Sequence, residues 1–229
     1  MERKDSLSLP EEVLLLALHD EKGTVGMESL YQYAIGGAIL AELLMQARIR
    51  LDSSKKKLVH LVNAKPVGDP ILDECLQKLS TARKAASAQT WVSRFAGVRN
   101  LKHRLAEQLC DRGILQADSD KIMLLFSRRI YPEIDPQPER AVVERLRQAI
   151  FTETTRLQPR TVVLVALTES ASLLEKVFDT KELKKRKDRI ALIIKGDAMA
   201  EATKGAIEAV QAAVMVACIT PIIASTATH

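Results

Sequence analysis

Apolar residues dominate Leu7–Leu18, LSLPEEVLLLAL, and the run opens on Ser8-Leu9-Pro10-Glu11. That tetrapeptide reads as a capping box with proline in the first turn. It predicts a buried helix through Val13–His19 that stops near Gly23. A second helix is predicted over Tyr31–Ala47, where Ile35, Ile39, Leu43 and Leu44 recur at helical spacing. Gly36-Gly37 inside it either weakens the helix locally or marks the close approach of another segment. Ile49-Arg50-Leu51 and Lys57–Val62 then alternate as two strands around the turn signal Asp52-Ser53-Ser54.

Further along, Asp69-Pro70 supplies an N-cap and a first-turn proline. Ile71, Leu72, Cys75, Leu76 and Leu79 follow as one helix face. Ser87–Ala96 predicts a short helix holding Trp91. Val98–Arg112 predicts a longer one, with Val98, Leu101, Leu105 and Leu109 inward and Gly113 just past its end. Ile114-Leu115 and Lys121–Phe126 flank Asp118-Ser119-Asp120, a predicted hairpin whose polar turn disfavours deep membrane insertion. Pro132–Pro138 carries three prolines in seven residues and is the clearest linker-like stretch. Glu139–Phe151, Arg160–Glu169, Leu173–Phe178, Lys185–Lys195 and Ala198–Ile219 are predicted as helices. No charge occurs from Ala209 to Thr228, but this stretch is Ala-rich and broken by Pro221. It fits a buried final helix better than a transmembrane one.

There is a faint internal echo. Ala41-Glu42-Leu43-Leu44 leads to Ala47-Arg48-Ile49, and Ala106-Glu107-Gln108-Leu109 leads to Arg112-Gly113-Ile114. Each reads as helix, turn, strand and hairpin. An ordinary helix-to-strand turn accounts for it; a winged-helix-like unit would open DNA binding.

Charge changes the picture more than composition does. The net charge of +5 and a pI near 9.1 suit an anionic partner, either a membrane surface or nucleic acid. Aromatic residues make up only 3% of the chain, which leaves few stacking platforms and disfavours a single-strand nucleic-acid binder. Cys75, Cys110 and Cys218 are far apart, show no metal-ligand spacing and read as buried small hydrophobes in a reducing compartment. No nucleophile elbow, phosphate loop, zinc-protease or dinucleotide motif occurs, and His19, His60, His103 and His229 are scattered. The chain therefore reads as non-enzymatic, with no metal and no cofactor. Its first ten residues, MERKDSLSLP, lack the apolar core of a signal peptide. Glu11, Glu12 and Asp73-Glu74 fall in first helical turns, where carboxylates favour the helix dipole.

Three basic groups stand out: Lys55-Lys56-Lys57 at a predicted turn; Arg94, Arg99, Lys102, His103 and Arg104; and Lys181, Lys184, Lys185, Arg186, Lys187 and Arg189. A solvated face is the ordinary role of each. The second is the most suggestive. Arg99 and Lys102 share a predicted helix face near its N-terminus, where backbone N–H groups and a guanidinium can hold a phosphate together.

Taken in order, LSLPEEVLLLALHDEKG, GGAILAELLMQARIRLD, PVGDPILDECL, VRNLKHRLAEQLCDRGIL, LLFSRRIYP and PRTVVLVALTESASLLEKVF resemble the Golgi phosphoprotein 3 family. The resemblance implies a mainly α, single helical domain over residues 1–229, with helices around a buried hydrophobic one and short peripheral β-hairpins. It also implies a non-enzymatic peripheral membrane protein, cytoplasmic and on the cytosolic face of a membrane, the Golgi in a eukaryotic source. A basic pocket would bind phosphatidylinositol 4-phosphate or another anionic phospholipid headgroup. Arg99 matches a pocket arginine and Lys102 takes the place of a second; Arg94, His103, Arg104, Tyr31 and Tyr33 are supporting candidates. Gly36 stands where the family has a further pocket arginine, and Met27 or Glu28 where it has a tryptophan. Further implied partners are cytosolic tails of membrane proteins and a second copy of the chain, met through hairpin 114–126. The alternatives are a protein-interaction scaffold of the same fold that has lost lipid specificity, or a DNA-binding module.

Overall fold

The computed structural model describes residues 6–18, 28–122 and 126–198, together with Glu208 and Ala212. The predicted stop near Gly23, Met27, Cys218 and most of the predicted final helix lie outside the described residues; Glu208 and Ala212 are both helical and buried. The fold is mainly α.

Helix α1 (Leu9–Leu18) starts as its capping signal predicts. The Ser8 N–H and hydroxyl both donate to the Glu11 carboxylate, at 2.7 and 3.0 Å. Every residue from Leu9 to Leu16 is buried. Helix α2 (Glu28–Met45) is the centre of the molecule, buried without interruption from Ala34 to Leu44. It packs on α1, on α4 (Ala88–Ala96) and on α7 (Pro159–Ser170). A helix covered on every side must be apolar all round, which is why its sequence shows so little amphipathic contrast. Helix α7 is the same kind of element, buried from Thr161 to Thr168.

Gly36 marks a close approach between helices. A Cβ there would lie 2.5 Å from the Val92 carbonyl oxygen and 2.9 Å from the Ala96 nitrogen, so α4 crosses α2 in direct backbone contact.

Strands β1 (Ile49–Leu51) and β2 (Leu58–Leu61) form the first predicted hairpin, and β3 (Ala86–Ser87) adds a third antiparallel strand that the sequence reading missed. Asp52 ties the β1–β2 turn by accepting from the Ser54 hydroxyl, the Ser54 N–H and the Leu58 N–H. The Ser54 hydroxyl is the strongest of the contacts that hold its carboxyl down at about 2. Helix α3 (Pro70–Ser80) has the predicted cap: the Asp69 carboxylate accepts from the N–H groups of Ile71 and Leu72. Its five predicted inward residues are all buried, and burial pushes the Cys75 thiol up to about 12.

Four expectations need correcting. Helix α5 (Leu101–Asp111) begins three residues after Val98, because the α4–α5 reversal occupies 97–100. Asn100 takes a left-handed φ of 54° there, which no helix continues through. The second hairpin is shifted. Its strands are β4 (Asp118–Ile122) and β5 (Phe126–Ile130), so Asp118-Ser119-Asp120 is strand and not turn. Met123, Leu124 and Leu125 stand between the strands in sequence and lie outside the described residues. Pro132–Pro138 is no free linker: Gln116 N–H donates to the Pro132 carbonyl and Ile134 N–H to the Ile114 carbonyl, both at 2.9 Å. Finally, the predicted Lys185–Lys195 helix is two. Helices α6 (Gln137–Phe151), α7 and α8 (Leu174–Val177) precede α9 (Thr180–Lys185) and α10 (Lys187–Lys195), with a break at Arg186.

Both halves of the internal echo do form a helix followed by an antiparallel hairpin, α2 with β1–β2 and α5 with β4–β5.

Candidate functional site

The tight α4–α5 reversal leaves a hollow against the first turns of α2. Tyr31 and Gln32 wall it from α2, and Asn100, Lys102 and His103 from the start of α5. Arg129, reaching in from β5, completes it. Its volume is about 370 Å³, and among the described residues no Asp or Glu lines it. The start of α5 has no side-chain cap, because left-handed Asn100 makes none. First-turn N–H groups left without a cap favour an anion, as does the dipole behind them.

The candidate residues separate clearly. Lys102 lines the hollow and is half-buried, and no carboxylate among the described residues pairs with it. His103 lines it as well and shares a 2.9 Å hydrogen bond, through Nδ1, with the Tyr131 hydroxyl. Burial raises that hydroxyl above its ordinary range. Tyr31 is part of the wall, whereas Tyr33 packs partly buried against the core and does not line the hollow.

Arg99 is exposed on the α4–α5 turn, also without a carboxylate partner among the described residues, but it lies before α5 and so shares no helix face with Lys102. Arg104 points away to α3, where its Nη1 meets Glu74 at 2.5 Å. Burial pushes the Glu74 carboxyl up, and the contacts with Arg104 and Lys78 together more than reverse this, leaving it below its ordinary value. Arg94 lies 4.6 Å over the ring of Trp91, the chain's single tryptophan, and that pair does not line the hollow.

Position 36 has room for glycine alone. The α4 backbone fills the space that any side chain there would need. Sequence reasoning missed Arg129, because its only local signal was the pair Arg128-Arg129 in a segment read as lying beyond the hairpin.

It also missed a buried ionic cluster at the base of α1. Arg160 of α7 meets Glu12 at 3.2 Å and Glu42 at 2.9 Å, and donates to the Leu7 carbonyl at 2.6 Å. Glu12 also meets Arg145, and Glu11 meets Arg112. Burial lowers the Arg160 guanidinium's proton affinity, and Glu12 and Glu42 more than restore it. Glu11, Glu12 and Glu42 each have an arginine partner, which suits a structural role.

Among the described residues, no helix is long and apolar enough to cross a membrane, and no group of His, Cys, Asp or Glu could hold a metal ion.

The profile of the Golgi phosphoprotein 3 (GPP34) family matches residues 9–210. The chain is similar to vacuolar protein sorting-associated protein 74 of Eremothecium gossypii, 28% identical over 218 residues, covering 80% of this chain and 65% of that protein. It is 27% identical over 211 residues to the protein of the same name from Schizosaccharomyces pombe, covering 78% of this chain and 62% of that one. The chain thus spans slightly less than two thirds of the length of these relatives. On the profile match, which runs through α1, the hollow and both hairpins, the chain belongs to the Golgi phosphoprotein 3 family.

Proposed function

We propose that this chain is a non-enzymatic peripheral membrane protein that holds the phosphorylated headgroup of an anionic phospholipid in the hollow at the start of α5. Phosphatidylinositol 4-phosphate is the first ligand to test. The observation that carries the reading is a cavity of about 370 Å³ with Lys102, His103 and Arg129 on its wall and, among the described residues, no carboxylate in its lining; the nearest partner of these cations is the exposed Glu107 beside Arg129. That volume suits a small polar headgroup. Lys102 supplies the point charge, and the uncapped α5 start supplies oriented N–H donors. Arg99, exposed next to the rim, adds attraction to anionic lipid of about 1 kcal/mol. In a eukaryotic cell this reading puts the protein on the cytosolic face of the Golgi.

Vesicle co-sedimentation tests it. Neutral phosphatidylcholine vesicles are compared with vesicles carrying phosphatidylinositol 4-phosphate and with vesicles carrying phosphatidylserine. The expected result is binding to anionic vesicles only, strongest with the phosphate monoester and lost in Lys102→Glu. Equal binding to all three, or to none, ends the reading.

A further inference from the structure

The wall of the hollow comes from the helical body on every side but one, and on that side it comes from the hairpin. The end of β5 meets α5 through two side-chain contacts. Arg129 and Tyr131, two residues apart, turn to the same side. Tyr131 meets His103, and Arg129 meets Glu107, one helical turn further along α5. The two contacts differ in kind. Tyr131 is 3% exposed and its bond to His103 is sheltered. The Arg129–Glu107 pair is loose, 3.3 Å between side chains that are 67% and 54% exposed. Such a pair is worth little. Arg129 also bonds the Tyr131 hydroxyl, and a guanidinium with five donors has more to offer than these two partners take.

We propose that Arg129 is a phosphate-binding residue supplied by the hairpin, so that a phosphate monoester in the hollow bridges the α5 start to β5 and fixes hairpin 118–130 against the helical body. This rests on the headgroup reading above. The chemistry is a switch of partner. A monoester phosphate offers a planar face of two oxygens to the guanidinium fork, a stronger match than the solvent-screened Glu107 carboxylate. It also has Lys102 on its other side. Arg129 would thus supply, from another element, the cation that position 36 has no room to carry. The tie comes through a strand whose partner β4 pairs with it over five residues, so fixing β5 fixes the hairpin as a unit.

The test uses the full chain with Arg129→Gln, Arg129→Lys, Glu107→Gln and Lys102→Glu, each first shown to melt like the parent. Arg129 and Glu107 are exposed, so folding should survive. Binding is measured to vesicles with phosphatidylinositol 4-phosphate, to vesicles with phosphatidylserine, and to soluble inositol 1,4-bisphosphate. Amide hydrogen exchange across 118–130 is followed in each case. Arg129→Gln is expected to lose about ten- to a hundredfold in affinity for the phosphate monoester, the size of one or two charge-assisted hydrogen bonds. It should lose little for phosphatidylserine. Arg129→Lys should fall between, and Glu107→Gln should bind more tightly. Soluble inositol 1,4-bisphosphate should slow hairpin exchange in the parent and not in Arg129→Gln; slowing by lipid alone would assign the effect to the bilayer and overturn the bridge. If Lys102→Glu abolishes monoester binding while Arg129→Gln matches the parent, this inference fails and the headgroup reading stands. If the parent itself ignores the monoester, both fail.

Discussion

Arg160 shows what a single side chain contributes here. Its guanidinium joins the first turn of α7 to Glu12 on α1, Glu42 on α2 and the Leu7 carbonyl. Glu42 in turn accepts from the Leu9 N–H, closing one of the open donors at the start of α1. Removing one partner of a buried ionic cluster leaves the others charged and unpaired. Arg160→Ala should therefore destabilise the fold by about 3–5 kcal/mol, read as a fall in the denaturant midpoint. A loss under 1 kcal/mol would mean that water reaches the carboxylates and the cluster is not closed. None of this was legible in the sequence. The capping box and the Asp69 cap were, because their partners lie within three residues. Arg160 and Glu12 are 148 residues apart, and only the packed fold brings them together.

Among elements, the α2–α4 crossing and the second hairpin mark where sequence patterns help and where they mislead. The Gly36-Gly37 pair left two meanings open, and the geometry selects the close approach. Gly36→Ala puts a methyl group on the α4 backbone, and a backbone cannot step aside as a flexible side chain can. The expected cost is about 1–3 kcal/mol, with a lowered melting temperature. An unchanged or raised melting temperature would show that α4 shifts freely. Gly36→Arg should be worse still, losing stability rather than gaining lipid affinity. The hairpin was misplaced for a different reason. Asp and Ser favour turns locally, yet the register sets Ser119 opposite Arg129 and Asp120 opposite Arg128, inside a five-residue antiparallel pairing. Local propensity gave way to the partner strand, and the pairing shifted so that 118–122 lies against 126–130. That move carried Arg129 into the site, so the misreading of the hairpin and the omission of Arg129 share one cause.

For the whole molecule, a net charge of +5 says less than how each cation is used. The three basic groups of the sequence have three different fates. Lys55 and Lys56 are exposed at the β1–β2 turn. Lys102 faces the hollow, and Arg99 is exposed beside it with no carboxylate partner among the described residues. In the third group, Arg186 and Arg189 serve the end of α6. Arg186 meets Glu153 at 2.7 Å and donates to the Phe151 carbonyl, while Arg189 donates to the carbonyls of Ala149 and Thr154. These carbonyls include the open acceptors that every helix leaves at its C-terminus, and cations there also complement the dipole. Stability and membrane binding should therefore separate between the groups. Arg189→Ala should lower stability by about 1–3 kcal/mol, the cost of leaving such acceptors unpaired, and leave vesicle affinity unchanged below its melting point. Lys102→Ala should do the reverse, holding the melting temperature and weakening association with anionic vesicles. The salt dependence should follow the same division. Raising ionic strength shortens the reach of exposed charges, so parent and Arg189→Ala should lose vesicle affinity in parallel as salt rises, while Lys102→Ala shows a shallower fall. If Arg189→Ala instead left the vesicles at temperatures where it is fully folded, the α9–α10 cations would belong to the membrane face and the hollow would not be the main seat of attraction.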